Sequence, residues 1–176
     1  EAFTRGTSVY LLDRVVPMLP EGLSNGLCSL NEGVERLTLS CFMEISPEGK
    51  VVSHRIAKTA IRSCHRLTYA NVNRMLEEGD EALIEKYQDI IWDLRQMQEL
   101  AQIMRKLRFQ KGSIDFEVGE AEIELNDAGK PVAIHARKQR TAEKMIEEFM
   151  VTCNNVVAEV FAQSELPFIY RIHEVP

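Results

Sequence analysis

Glu147 and Glu148 stand side by side in the run QRTAEKMIEEFMVTCN, between Ile146 and Phe149. In a helix, neighbouring residues point about 100° apart, so at least one of these carboxylates is predicted to approach the buried side. A carboxylate there needs a cation or hydrogen-bond donors, because removing an unpaired charge from water is costly. Two uses of the charge stay open. Either an arginine, Arg140 or one outside this chain, simply satisfies it, or a ligand does.

Aromatic faces are the second chemical resource. Proteins that hold single-stranded nucleic acid stack bases on such faces, and Tyr10, Tyr69 and Phe116 are candidates, although by residue type alone all three read as core or strand aromatics. Basic residues gather in two places, Arg105, Lys106, Arg108 and Lys111, then Arg137, Lys138 and Arg140, and each group reads as a solvated helix end or loop. A net charge of -6 excludes a uniformly basic nucleic-acid surface while leaving local patches available. Cys28, Cys41, Cys64 and Cys153 form no CxxC pair, which argues against a zinc ribbon or a disulfide framework and fits a reducing cytoplasm. His54, His65, His135 and His173 are equally dispersed. No HExxH or DxD spacing presents converging metal donors, so no metal ligand is assigned within the chain.

The elements that must position these residues can be read from periodicity. Residues 8–12 read as a short strand followed by an apolar patch over 15–18. Pro17 and Pro20 end any ladder there, and residues 23–26 form a tight turn. Leu37, Leu39, Cys41, Met43 and Ile45 alternate with polar residues as the buried face of a strand. A turn at 47–50 and a return strand over 51–61 complete a hairpin. Thr68 is the expected N-cap of a short helix over 67–76. Apolar residues at threes and fours predict one long amphipathic helix over 80–107. It is long enough to project from the sheet, though packing on neighbouring helices is the simpler expectation. Strands follow on either side of a turn at 126–129, then a helix over 141–162 whose broad apolar stripe predicts central burial. Alternation of Phe168, Tyr170 and Ile172 predicts a last strand. The fold class is α+β: antiparallel strands packed against one long exposed helix and one central buried helix. No apolar run approaches the roughly 18 residues of a membrane span.

Residues 5–30, RGTSVYLLDRVVPMLPEGLSNGLCSL, carry two prolines and an Asn-Gly turn that periodicity does not explain. This segment closely resembles the catalytic domain of the ribonuclease II and ribonuclease R family, the RNB exoribonucleases, and most of all its bacterial ribonuclease R branch. The same likeness recurs in order at RLTLSCFM (36–43), RSCHRLTY (62–69), GSIDF (112–116) and QRTAEKMIEEFMVTCN (139–154). Family members carry a DxDDA aspartate cluster before the first motif and a TSPIRRY-like segment after the last. Neither occurs here, so the resemblance implies that residues 1–176 are the central portion of a single RNB catalytic domain whose other parts are its partners.

The resemblance further implies processive hydrolysis of single-stranded RNA from its 3′ end to nucleoside 5′-monophosphates. Two divalent ions, normally Mg2+, would be bound by the aspartates outside this chain. Tyr10 would mark the outer edge of the stacked bases and Phe116 the other end. Tyr69 would lie near the RNA 3′ end and Glu147 near the end of the channel, with Arg140 and Asn154 in support. The chain would thus supply channel wall and base stacking, and no catalytic residue. A protein of the same fold that binds RNA or acts as a scaffold without catalysis is the alternative. An unrelated hydrolase using His65 or Cys64 has no supporting constellation.

Overall fold

The structure is a computed structural model that describes residues 1–114, 120–126 and 128–172. Its elements are α1 (Ala2–Arg5), β1 (Val9–Tyr10), β2 (Val15–Val16), β3 (Glu35–Ile45), β4 (Val51–Arg62), α2 (Tyr69–Asn73), α3 (Glu81–Lys86), α4 (Ile91–Gln110), β5 (Glu120–Leu125), β6 (Pro131–Arg137) and α5 (Thr141–Ser164). The strands form three two-stranded sheets, β1 with β2, β3 with β4 and β5 with β6. The expected α+β class and its antiparallel hairpins are present. The chain divides into two compact units, one of Glu1–Ser40, Ala57–Leu67 and Asp115–Lys138, the other of Cys41–Ile56, Thr68–Ile114 and Gln139–Pro176.

In the first unit, Tyr10 pairs with Val15 and Val9 with Val16, so the patch after the first strand is its ladder partner. Residues expected to make a tight turn form a π-helical segment, Gly22–Leu27. Arg36 fastens that segment by donating from Nε to the Ser29 carbonyl (3.0 Å) and from Nη2 to the Gly26 carbonyl (3.1 Å). Over residues 37–40 the expected face of β3 is reversed, whereas Cys41, Met43 and Ile45 keep to the more covered side as expected. Leu37 and Leu39 are 91% and 75% exposed, while Thr38 and Ser40 turn toward Thr59, with hydroxyl separations of 2.7 and 2.6 Å. Polar groups that find partners outcompete leucines for the covered side. The β5–β6 hairpin sets Ile123 opposite Ile134. Asn126 closes its turn by accepting from the amides of Ala128 and Lys130, both at 3.0 Å.

The second unit holds every buried apolar side chain among the described residues: Val72, Met75, Tyr87, Leu94, Ala101, Met104, Ala142, Met145 and Val156. Thr68 caps α2 as expected, accepting from the Asn71 amide at 3.2 Å. The predicted long helix is two. α3, capped by Asp80, ends at Tyr87, whose burial coincides with a turn over 87–90 before α4 begins. No glycine or proline marks the break; Asp89, Ile90 and Ile91 are weak helix formers that leave the periodicity intact. α4 is not a projecting arm. It exposes Trp92 but lays Leu94, Ala101 and Met104 inward and packs on α5, as does α2. The tip of the β3–β4 hairpin sits on the same helix at Gly49. Its φ of +83° suits glycine, and an added Cβ there would meet Ile103 Cγ2 at 3.1 Å. The predicted last strand is absent: after Glu165 takes a left-handed conformation (φ 56°), Phe168 stacks on Phe161 with centroids 4.3 Å apart, and Tyr170 meets Phe168 edge-on.

Candidate functional site

The two best-defined helices meet around the glutamate pair. α5 begins without a side-chain cap of its own, and remote residues take its first amides. Asn73, 1% exposed, accepts from the Ala142 amide through Oδ1 (2.8 Å) and donates through Nδ2 to Glu143 (2.9 Å). Glu77 Oε1 accepts from the Thr141 amide (2.9 Å). Arg140 closes the cluster, donating from Nη2 to Glu77 Oε2 and Glu78 Oε1, each at 2.7 Å. These contacts, first the Thr141 side-chain hydrogen bond, lower the Glu77 pKa to about 2.

Two turns further along α5, Glu148 is the buried member of the pair, only 2% exposed, and Glu147 is one-third exposed. Arg108 grips Glu148 with a fork, Nε to Oε2 at 3.0 Å and Nη2 to Oε1 at 2.5 Å, and the same Nη2 donates to Glu147 Oε1 at 2.9 Å. Arg105 adds a bond from Nη1 to Glu148 Oε1 at 3.1 Å and stands 4.0 Å from Glu147 Oε1. Hydrogen bonding to Glu148 is the main reason that the Arg108 pKa is raised. Both guanidinium groups also lie near the Phe109 ring, 4.9 and 5.4 Å from its centroid. An open cavity of about 370 Å³ adjoins the network, with Gly49, Lys50, Met104, Lys111, Glu148 and Glu159 in its wall.

The partners of the glutamate pair are therefore Arg105 and Arg108, inside the chain, and Arg140 serves Glu77 and Glu78 instead. A group taken from sequence as a solvated helix end contributes two cations to the interior. The signal was present: Ala101, Met104, Arg105 and Arg108 recur at threes and fours, so both arginines share the apolar stripe of α4. Asn73 and Glu77 left no comparable trace, because their amide partners lie far along the chain.

Tyr69 opens α2 at 43% exposure, and Asn154 is exposed on α5, so the second unit carries Tyr69, Glu147, Arg140 and Asn154. Tyr10, 78% exposed on β1, belongs to the first unit. Phe116 lies outside the described residues. No group of three or more metal-type side chains converges among the described residues. The adjacent carboxylates Glu147 and Glu148 are already engaged by guanidinium groups, so this pair does not suit a divalent ion. The cysteines are free, and burial, then the neighbouring Cys153, pushes the Cys41 thiol up. No described helix is long and apolar enough to cross a membrane.

Residues 1–176 match the RNB domain along their whole length. The chain belongs to the RNB domain family. Its RNB sequence is 52% identical over 176 residues to ribonuclease R 1 of Lactococcus lactis and 47% identical over 178 residues to ribonuclease R of Thermotoga maritima. All of the chain aligns, but it spans only 21% and 25% of those relatives. The RNase R of Mycoplasma genitalium in complex with ribose methylated single-stranded RNA superposes with a TM-score of 0.87 at 32% identity, covering 99% of this chain and 27% of that one. The Dss1 exoribonuclease of Candida glabrata shares the fold, with a TM-score of 0.82 at 21% identity over 94% of this chain and 22% of that one.

Proposed function

We propose that this RNB segment is the central part of a 3′-to-5′ exoribonuclease that hydrolyses single-stranded RNA processively to nucleoside 5′-monophosphates in the cytoplasm. The observation that carries this reading is the whole-chain match to the RNB domain, together with 52% identity to a ribonuclease R. Both compact units belong to one catalytic domain, which other parts of the same polypeptide complete. Mg2+ is the metal, bound by aspartates outside these residues. The chain's own share is contact with RNA. Tyr10, Tyr69 and Phe116 offer faces for base stacking, and the exposure of Tyr10 and Tyr69 supports that use. Glu147, the accessible member of the glutamate pair, stands near the end of the channel, with Arg140 and Asn154 supporting that end.

The test uses the full-length protein that carries this chain, a 5′-labelled single-stranded RNA and Mg2+. Stepwise shortening from the 3′ end with release of 5′-monophosphates is the expected result. Binding without shortening would replace this reading with the non-catalytic RNA-binding or scaffold protein, and internal cuts would exclude both.

A further inference from the structure

Arg108 makes three bonds that only a guanidinium can make together. Its Nε and Nη2 form a fork on Glu148, and the second hydrogen of Nη2 reaches Glu147 Oε1 at 2.9 Å. Glu148 is fixed by burial at 2% exposure, and it holds Arg108 in turn. The chain of constraint therefore runs outward, from a buried carboxylate through a planar cation to a one-third exposed carboxylate. Oε1 of Glu147 takes both nearby cations, and Oε2 has no hydrogen-bond partner among the described residues. An unheld glutamate of that exposure would populate several rotamers. Here one oxygen is fixed and the other is presented.

We propose that Arg108 is a positioning residue: anchored on Glu148, it fixes the carboxylate of Glu147 for contact with RNA at the end of the channel. The inference rests on the role proposed above for Glu147 and adds the means by which that role is set. Lysine at 108 would keep the charge beside Glu148 but could not hold both glutamates in one geometry.

The experiment uses full-length protein with Arg108→Lys, Glu147→Gln and the double variant, and reads RNA affinity separately from the single-turnover rate of removing the 3′-terminal nucleotide. Arg108→Lys is expected to slow that step about tenfold, as misplacement of a substrate-positioning group does, while leaving affinity within about twofold. With Glu147→Gln already present, the second change is expected to add less than about twofold, because coupled residues are not additive. Equal slowing in both backgrounds would show that Arg108 acts only through the fold and would overturn the inference, as would a wild-type rate in Arg108→Lys. If Glu147→Gln alone leaves the step unchanged, the role of Glu147 fails and the inference with it. Should Arg108→Lys not fold, Glu148→Gln loosens the same anchor while keeping Arg108, and slowing that depends on Glu147 is again the expected result.

Discussion

Tyr10 and Glu148 mark opposite extremes of what a single residue contributes. Tyr10 is 78% exposed, so its ring does little for the fold and is free to stack a base. Tyr10→Ala is expected to weaken single-stranded RNA binding by on the order of 1–3 kcal/mol, read by fluorescence anisotropy, with an unchanged melting temperature. An equal loss of stability would make Tyr10 a packing residue. Glu148 behaves in the reverse way. Its removal leaves Arg108 without its main partner, and breaking a buried pair from one side costs on the order of 3 kcal/mol. Glu148→Ala should lower the unfolding free energy read from urea titration by that order, whereas Glu147→Ala, at a one-third exposed position, should cost under about 1 kcal/mol. Similar losses for the two would refute the distinction between a structural and an accessible glutamate.

The start of α5 depends on residues some 70 positions earlier, and this dependence gives the molecule a specific response to acid. Glu77 has its pKa lowered from 4.5 to about 2 in the folded chain by bonds to Thr141 and Arg140. A depressed carboxylate pKa stabilises fully above its unfolded value, and that stabilisation is lost as pH falls through the folded value. The difference in urea midpoint between wild type and Glu77→Gln should therefore be constant near neutrality and shrink as pH drops from about 4.5 toward 2. A difference that stays constant across that interval would mean that Glu77 caps α5 without regard to its charge. Elements of this kind were unevenly legible in sequence. The hairpin turns at 46–50 and 126–130, the Thr68 cap and the span of α5 follow from local chemistry, so local patterns located them. The break at 87–90, the reversed face at Leu37 and Leu39 and the remote capping by Asn73 depend on which distant group wins a hydrogen bond or a place in the core, which no window of neighbouring residues contains. The glutamate pair itself was legible as a charge needing a cation, and the phase of Arg105 and Arg108 on the apolar stripe could have named the partners.

At the scale of the whole chain, burial is concentrated in one unit. Every buried side chain among the described residues belongs to the unit built on α2, α4 and α5, while the unit that carries Tyr10 leaves Leu12, Leu37, Leu39 and Ile134 exposed. Local stability follows buried contacts, and strands with exposed ladders open at little cost. Hydrogen exchange on the isolated 176-residue chain should therefore find slow amides in α4 and α5 and fast ones in β1, β2, β5 and β6. The same chain should release no nucleotide from RNA in Mg2+ if, as proposed, the metal-binding aspartates lie outside residues 1–176. In the full-length protein the strands of the first unit should gain protection as other segments cover their leucines, and Tyr10 should gain its effect on RNA binding with them. Equal protection of both units in the isolated chain would mean that the two-strand ladders are stable without such cover. Tyr10 would then be expected to contribute as much to RNA binding in the isolated chain as in the full-length protein.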